Sequence, residues 1–358
     1  MSSAAEWRAL IDAVACLADG TVAAMATLTR THGPTFRHAG TRMLVHADGR
    51  VVSELSGGCP QRDIVERARM VIGDGKPVQV AYNAESGLDV LMEMGCGGEL
   101  EVLIEPIERA DAMMWLAPLA ACLRERRSST LATWFARDGA TRMPSHALAG
   151  AGVTGENVPA CDTLRAALAC PPPQRAAVVT VSDAGGHDEV LIETVQPPHA
   201  LVAIGNNATA HALLRLADIV GWQTTLVDHD PLRLDAFDLP PGLATCGAEP
   251  RHLRESVTFD PYTSVVVMTH NLERDAAYLR ALQGASVAYV GALSSRERSS
   301  RLNAGLESPE WSLHAPTGLD IGANSPEEIA LAIAAEILAV QHARAGGSLM
   351  VSVDAIHA

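Results

Sequence analysis

Two short turns in the first part of the chain place a cysteine next to glycines. The first is Ser-Gly-Gly-Cys at residues 56–59, and the second is Gly-Cys-Gly-Gly at residues 95–98. A thiolate can ligate a soft metal or relay sulfur, and it is favoured at a helix N-terminus, which the sequence predicts near Pro60 or Gln61. The alternative for Cys59 and Cys96 is a small residue in a tight turn, since free cysteines are mostly buried and inert.

The same turns and a nearby arginine have the chemistry of a phosphate site. Four turn glycines lack a Cβ, so backbone N–H groups could approach a ligand there: Gly57, Gly58, Gly97 and Gly98. Arg37, with His38 and Arg42 close by, carries the planar guanidinium that is the usual partner of phosphate. Its alternative is a solvated charge at the end of a strand.

Further candidates follow two predicted strands in the second half of the chain. His270 ends the stretch VVVMTH, and Ser294, Ser295 and Arg296 follow YVGAL. Ligands of open parallel sheets bind at the carboxyl ends of the strands, so these residues are candidate cofactor contacts. The alternatives are a polar group at a strand end for His270 and a basic helix start for the serine-arginine loop.

The elements that would position these residues fall into two predicted domains, 1–196 and 197–358. The first is predicted as α+β, with helices over 4–18, 61–75 and 111–126, a strand over 21–33, a hairpin over 41–58, and strands over 76–83 and 98–107. Three further strands, predicted within STLATWFARDG, AAVVTVSDAG and EVLIETVQPP, complete it. Pro197–Pro198 is the predicted linker.

The second domain alternates apolar strands with helices, which predicts a Rossmann-like, doubly wound parallel sheet. Its last helix has a clear start, because Ser325 can cap it, Pro326 suits the first turn and Glu328 completes a capping box. The chain as a whole is therefore predicted to be α/β.

A dinucleotide fingerprint is only partly present at the start of this second domain. Gly205 follows a strand, and Asp228 ends the next strand at the distance expected for a ribose-binding acid. The second glycine is replaced by Asn207 and the third by Ala210. An NAD(P)-dependent oxidoreductase is therefore the alternative function, and a scaffold without a ligand is a third.

Composition narrows the class of protein. The 358 residues carry a net charge of −15, which argues against general binding to nucleic acid or to anionic membranes. The seven cysteines form no C-x-x-C pair, and no apolar run is long enough for a membrane helix. The amino-terminal stretch is acidic and amphipathic and unlike a signal peptide, so a reducing cytoplasm is the expected location.

Four blocks of the sequence carry a resemblance to a known family: ATLTRTHGPTFRHAGTRMLVHADGRVVSELSGGCPQRDIVERA, MGCGGELEVLIEP, YVGALSSRERSSRL and LHAPTGLDIGANSPEEIALAIAAEILA. In these blocks the chain resembles the XdhC/CoxI family of accessory proteins for molybdenum hydroxylases. The resemblance is weakest between about 110 and 198. The chain departs from the family pattern at Pro34, at Ser294 and in the loop Gly205–Ala210, which lacks the usual second glycine and histidine.

The resemblance implies a chaperone rather than an oxidoreductase. Such a protein would bind molybdopterin, or its cytosine dinucleotide form, as cargo. It would protect the cofactor during sulfuration by a cysteine desulfurase and insert it into a xanthine-, aldehyde- or CO-dehydrogenase-type client. Cys59 and Cys96 are then the candidate molybdenum ligands. A homodimer is compatible with the long region that joins the domains.

Overall fold

A computed structural model describes residues 2–56, 58–83, 98–149, 152–154, 176–183, 185–234, 243–306 and 309–351. The chain forms two compact units, and the division falls between Pro197 and Pro198. The predicted α/β class is confirmed, because antiparallel sheets lie in the first unit and a parallel sheet lies in the second.

The first unit begins with a five-stranded antiparallel sheet in the order β3-β2-β1-β5-β4. Its strands are β1 (Val22–His32), β2 (Arg42–Val45), β3 (Val51–Val52), β4 (Val78–Tyr82) and β5 (Glu99–Glu108), and the helices are α1 (Ala4–Ala15), α2 (Gly58–Asp74) and α3 (Arg109–Arg124). Leu100, Val102 and Ile104 of β5 pack in the same core as α2, and Ile107 of the opposite face packs with α1 and α3. This alternation gives each face of the sheet its own core.

A second antiparallel sheet completes the first unit, in the order β8-β7-β6-β10-β9. Its strands are β6 (Ser129–Arg137), β7 (Ala140–Leu148), β8 (Gly152–Thr154), β9 (Ala177–Asp183) and β10 (Gly186–Val195). Leu103 of the first sheet shares a core cluster with Phe135 and Leu191 of the second. Polar pairs also join the two sheets, among them the ion pair of Arg42 with Glu193, both of which are buried.

The second unit is built on a six-stranded parallel sheet in the order β13-β12-β11-β14-β15-β16. Its strands are β11 (Ala200–Ile204), β12 (Gln223–Asp228), β13 (Ala244–Gly247), β14 (Thr263–Val267), β15 (Tyr289–Ala292) and β16 (Leu313–His314). Numbered from the first strand of the unit, this is the 3-2-1-4-5-6 order of a Rossmann fold, so the predicted doubly wound sheet is confirmed.

Helices connect the strands of the second unit. They are α4 (Ala208–Ile219), α5 (Pro231–Leu234), α6 (Leu253–Ser256), α7 (Leu272–Ala281), α8 (Arg296–Ala304) and α9 (Pro326–Gln341), with short 3-10 turns at Pro250–His252 and Leu349–Val351. The predicted start of α9 is confirmed, because Ser325 and Glu328 form the capping box and Pro326 stands in the first turn. Within the described ranges, every helix is too short or too polar to cross a membrane.

Candidate functional site

The first candidate turn leads directly into helix α2. The helix begins at Gly58, earlier than the Pro60 or Gln61 start that the sequence predicts, so Cys59 lies within its first turn. Backbone N–H groups at such a position have no partner in the helix and favour an anion or a thiolate. The side chain of Cys59 lies outside what the structure describes, as do Gly57, Cys96 and Gly97, so the pairing of two cysteines stays a prediction.

The segment that precedes α2 is held by a glutamine of the helix itself. The Oε1 atom of Gln61 accepts hydrogen bonds from the backbone N–H groups of Leu55 and Ser56, both at 3.3 Å. Leu55 is buried in the core beneath α2. Gln61 therefore fixes the path of the chain into the cysteine turn, and sequence analysis gave this residue no role.

Arg37 also fastens the segment that precedes α2. Its Nε donates to the carbonyl oxygen of Glu54 at 3.1 Å, and its Nη2 donates to the Glu6 carboxylate. That carboxylate also accepts from the hydroxyl of Ser53 at 3.3 Å. Burial acts to raise the pKa of Glu6, but hydrogen bonds from Ser3 and Arg37 outweigh it and lower the pKa. Arg37 thus has a structural partner in the chain, and its contact with a phosphate stays a prediction.

Gly98 is needed for the close packing of its own chain. A Cβ at this position would lie 2.6 Å from the methyl group of Thr35 and 2.9 Å from the carbonyl oxygen of His32. Real Cβ atoms do not approach other atoms so closely, so glycine at 98 lets strand β5 start against the turn that follows β1. A role of Gly98 in approaching a ligand stays a prediction.

The fingerprint loop of the second unit is filled by one of its own side chains. Gly205 has a φ of +117°, and a Cβ there would lie 2.7 Å from the Met268 carbonyl oxygen. Asn207 caps helix α4, since its Oδ1 accepts from the N–H of Ala210 at 3.0 Å. Its Nδ2 donates to Met268 O at 2.7 Å. The side-chain oxygen of Asn207 therefore already accepts from the backbone N–H of Ala210, a group that would bind a phosphate in a dinucleotide site.

The acid that would bind a ribose is also engaged within the chain. Asp228 is buried, and its Oδ2 accepts from the backbone N–H of Asn206 at 2.9 Å. Its Oδ1 accepts from the N–H of Asp230 at 3.0 Å and lies 2.8 Å from Nδ1 of His229. These contacts leave Asp228 poorly placed to accept from a ribose hydroxyl, which counts against ordinary NAD binding.

His270 lies at the carboxyl edge of the parallel sheet, beyond the end of β14. It is exposed and has a φ of +60°, a left-handed conformation that few non-glycine residues adopt. Such a conformation costs free energy and persists only where the surrounding structure holds it.

The loop after β15 presents the other predicted contacts at the same sheet edge. Ser295 caps α8 by accepting from the N–H of Arg298 at 3.4 Å, and the hydroxyl of Ser294 lies 2.7 Å from that of Ser299. Arg296 is the first residue of α8 and is exposed. The structure thus brings the sequence-predicted residues of this unit to one edge, while their contact with a ligand stays a prediction.

A buried aspartate connects the two loops of this edge. Asp275 Oδ1 accepts from the backbone N–H of Thr269 at 3.0 Å and from its hydroxyl at 2.6 Å. Asp275 Oδ2 accepts from Arg298 at 2.9 Å. Sequence analysis missed Asp275, because an acid in the first turn of a helix is ordinarily read as a surface residue that complements the helix dipole.

Family comparisons match both halves of the chain. Residues 16–83 match the family described as "XdhC and CoxI family", and residues 201–337 match that described as "XdhC Rossmann domain". The chain belongs to the XdhC/CoxI family. The first of these XdhC/CoxI matches contains Arg37 and Cys59, and the second contains His270 and the loop Ser294–Arg296.

Relatives of this XdhC/CoxI protein are similar along most of its length. It is 25% identical to a probable xanthine dehydrogenase subunit of Bacillus subtilis, over 90% of this chain and 94% of that protein. It is also 25% identical to the "Molybdenum cofactor insertion chaperone PaoD" of Escherichia coli, over 92% and 86%. A crystal structure from Bacillus halodurans, titled a xanthine dehydrogenase, matches with 25% identity and a TM-score of 0.78, over 98% of both chains.

Proposed function

We propose that this protein is an accessory chaperone that binds the molybdenum cofactor and inserts it into a molybdenum hydroxylase of the xanthine dehydrogenase type. The observation that carries the proposal is the similarity to the insertion chaperone PaoD over 92% of the chain. The cargo is proposed to be molybdopterin or its cytosine dinucleotide form. The proposed partners are the client hydroxylase, a cysteine desulfurase that sulfurates the cofactor, and a second copy of this chain.

The geometry of the first unit supports a role for Cys59 in holding the metal end of the cargo. A thiolate at a helix N-terminus is stabilised by the free N–H groups of the first turn and is a suitable ligand for a soft, sulfur-rich molybdenum centre. Gln61 and Arg37 both form hydrogen bonds to the backbone of the preceding segment. Such anchoring keeps the turn in one position, which a ligand-binding loop requires.

The second unit supports recognition of the phosphate end of the cargo. Arg296 and the hydroxyls of Ser294 and Ser295 are donors that suit phosphate, and His270 lies at the same edge of the sheet. In the loop at Gly205, the side chain of Asn207 bonds the backbone groups that would otherwise be available to a dinucleotide. This favours a carrier of the molybdenum cofactor over an enzyme that transfers hydride with NAD(P).

Metal and pterin analysis of the purified protein tests this proposal. Protein produced in cells that synthesise the cofactor is expected to copurify with molybdenum and a pterin. Cys59→Ser is expected to retain about tenfold less molybdenum, equivalent to ~1.4 kcal/mol of binding free energy. Its thermal stability should stay close to that of the unsubstituted protein.

Cys16→Ser is the matched control, because Cys16 is a free, exposed cysteine at the end of α1. It is expected to retain the same molybdenum content as the unsubstituted protein. A protein that never copurifies with molybdenum or pterin, or one whose tryptophan fluorescence responds to NAD instead, would contradict the proposed function. Equal molybdenum content in the unsubstituted protein, Cys59→Ser and Cys16→Ser would show that Cys59 does not hold the metal.

A further inference from the structure

A chain of buried polar side chains crosses between the two antiparallel sheets of the first unit. It begins at the Arg42–Glu193 ion pair, and Nη2 of Arg42 also lies 3.4 Å from the Thr133 hydroxyl. That hydroxyl lies 3.2 Å from Nδ1 of His146, whose Nε2 lies 3.0 Å from Oε2 of Glu105. The indole of Trp115 stacks on the His146 ring at 4.4 Å. His146, which contacts both Thr133 and Trp115, therefore holds one oxygen of the Glu105 carboxyl group.

This series of polar side chains ends at Glu105, one of whose carboxylate oxygens has no hydrogen-bond partner among the described residues. Glu105 is only 4% exposed, and its Oε1 makes no hydrogen bond with any part of the chain that the structure describes. Buried polar atoms in proteins are nearly always paired, so an unpaired carboxylate oxygen needs an explanation. The cost of burying it is offset when a ligand supplies an N–H donor.

Glu105 lines a cavity of about 720 Å³. This volume lies within the range of small-molecule sites, which span roughly 300–1,000 Å³. The end of α2, the end of β5, helix α3 and strand β7 form its walls. Apolar and sulfur-containing side chains supply much of the surface: Met114, Trp115, Met143 and Pro144.

The charged groups of the cavity are nearly all acidic. Besides Glu105, three other carboxylates line it: Asp74, Glu108 and Asp111. Among the described lining residues there is no lysine or arginine, and His146 is already bonded to Glu105. Carboxylates accept hydrogen bonds and repel anions, so this cavity suits a positively charged ligand with N–H donors and is unsuited to the phosphate of the proposed cargo.

We propose that this cavity is a binding site for an organic cation of the guanidinium class, with its N–H donors against the carboxylate of Glu105. Carboxylate and guanidinium form the strongest common charge-assisted hydrogen bonds, and the apolar walls would hold the aliphatic part of the ligand. The guanidinium could come from a free small molecule or from an arginine side chain of a partner. The site does not depend on the molybdenum cargo.

Calorimetric titration of the full-length protein with agmatine tests the proposal. Agmatine is expected to bind, whereas choline, a cation without N–H donors, and acetate are expected not to bind. Glu105→Gln should weaken agmatine binding by at least about tenfold, or ~1.4 kcal/mol. Glu108→Gln, which removes an exposed carboxylate from the same cavity, should change it by less than about twofold because exposed charges contribute little.

The results show both whether the cavity binds a guanidinium group and whether that group comes from a small molecule or from a protein. Tighter binding of agmatine than of the peptide Gly-Arg-Gly would assign the site to a small molecule, and the reverse order to a partner's arginine. No binding of either compound, equal binding by choline, or unchanged agmatine binding in Glu105→Gln overturns the proposal. If Glu105→Gln fails to fold, the comparison of agmatine with choline on the unsubstituted protein still decides it.

Discussion

Glu336 on helix α9 shows how a single carboxylate can hold a loop of the parallel-sheet unit. Its Oε2 accepts from the N–H of Gly318 at 2.8 Å and from the hydroxyl of Tyr289, and its Oε1 lies 3.3 Å from Nδ1 of His314. Burial acts to raise the pKa of Glu336, but these three hydrogen bonds outweigh burial and lower the pKa from 4.5 to about 2.

The stability of the unit should therefore depend on pH through Glu336. Because the pKa is lower in the folded protein than in the unfolded chain, the stabilisation is complete above about pH 4.5 and is lost as the pH falls towards 2. Glu336→Gln is expected to lower the free energy of unfolding near neutral pH by about 1–3 kcal/mol. It should also flatten the dependence of the melting temperature on pH in that acid range.

Glu327→Gln is the control for this substitution, because Glu327 is exposed on the same helix. Its melting temperature should be only slightly lower and should depend on pH as in the unsubstituted protein, because an exposed acid in the first turn of a helix contributes less than about 1 kcal/mol. If the melting temperature depends on pH in the same way in the unsubstituted protein, Glu336→Gln and Glu327→Gln, Glu336 is not the source of the predicted loss of stability at acid pH.

Single residues were the hardest part of the site to predict from the sequence. Arg42 has the chemistry of a phosphate-binding residue, yet it is buried against Glu193, which is 151 positions away in the chain. Its guanidinium also lies over the ring of Trp7, at 4.8 Å. A sequence pattern shows the type of a side chain and its local spacing, but only the tertiary fold shows which charge it meets.

At the scale of elements, the first turn of α2 depends on one side chain that reaches back along the chain. Removing it in Gln61→Ala takes away the acceptor for the N–H groups of Leu55 and Ser56. Both amides are expected to exchange faster with deuterated solvent, at a cost in stability of about 1 kcal/mol. If the proposed function holds, the variant should also retain less molybdenum.

Gln79→Ala provides the comparison, because Gln79 also makes a side-chain hydrogen bond, to Glu101 at 3.2 Å, but lies on β4. It should leave the exchange of Leu55 and Ser56 unchanged. Unchanged exchange of these two amides in Gln61→Ala would contradict the anchoring role of Gln61.

Most elements follow from local pattern, and those that do not have a physical reason. Strands β1, β5 and β11 and the capped helix α9 are all predicted from the sequence. Strand β7 is not, because Ser145 and His146 are adjacent polar residues that are both buried. His146 is accommodated by Glu105 and Thr133, which belong to other strands, so the usual alternation of polar and apolar residues is lost.

At the scale of the whole molecule, the chain has a separate core in its carboxyl-terminal part. Two clusters of buried apolar residues consist entirely of residues from β11 onward. A fragment of residues 198–358 is therefore expected to fold alone and to unfold in one cooperative thermal transition, as measured by calorimetry and circular dichroism. A fragment that lacks a cooperative transition would contradict the independence of the second domain.

Because Asn207 fills the loop at Gly205, the abundance of this protein should depend little on the metabolic state of the cell. A ligand stabilises a fold only if it binds the folded chain more tightly than the unfolded chain. Since Asn207 already supplies the acceptor at the start of α4, the nucleotide concentration would have little effect on the fraction of the protein that is folded. The supply of NAD(P) and the abundance of this protein would then vary independently.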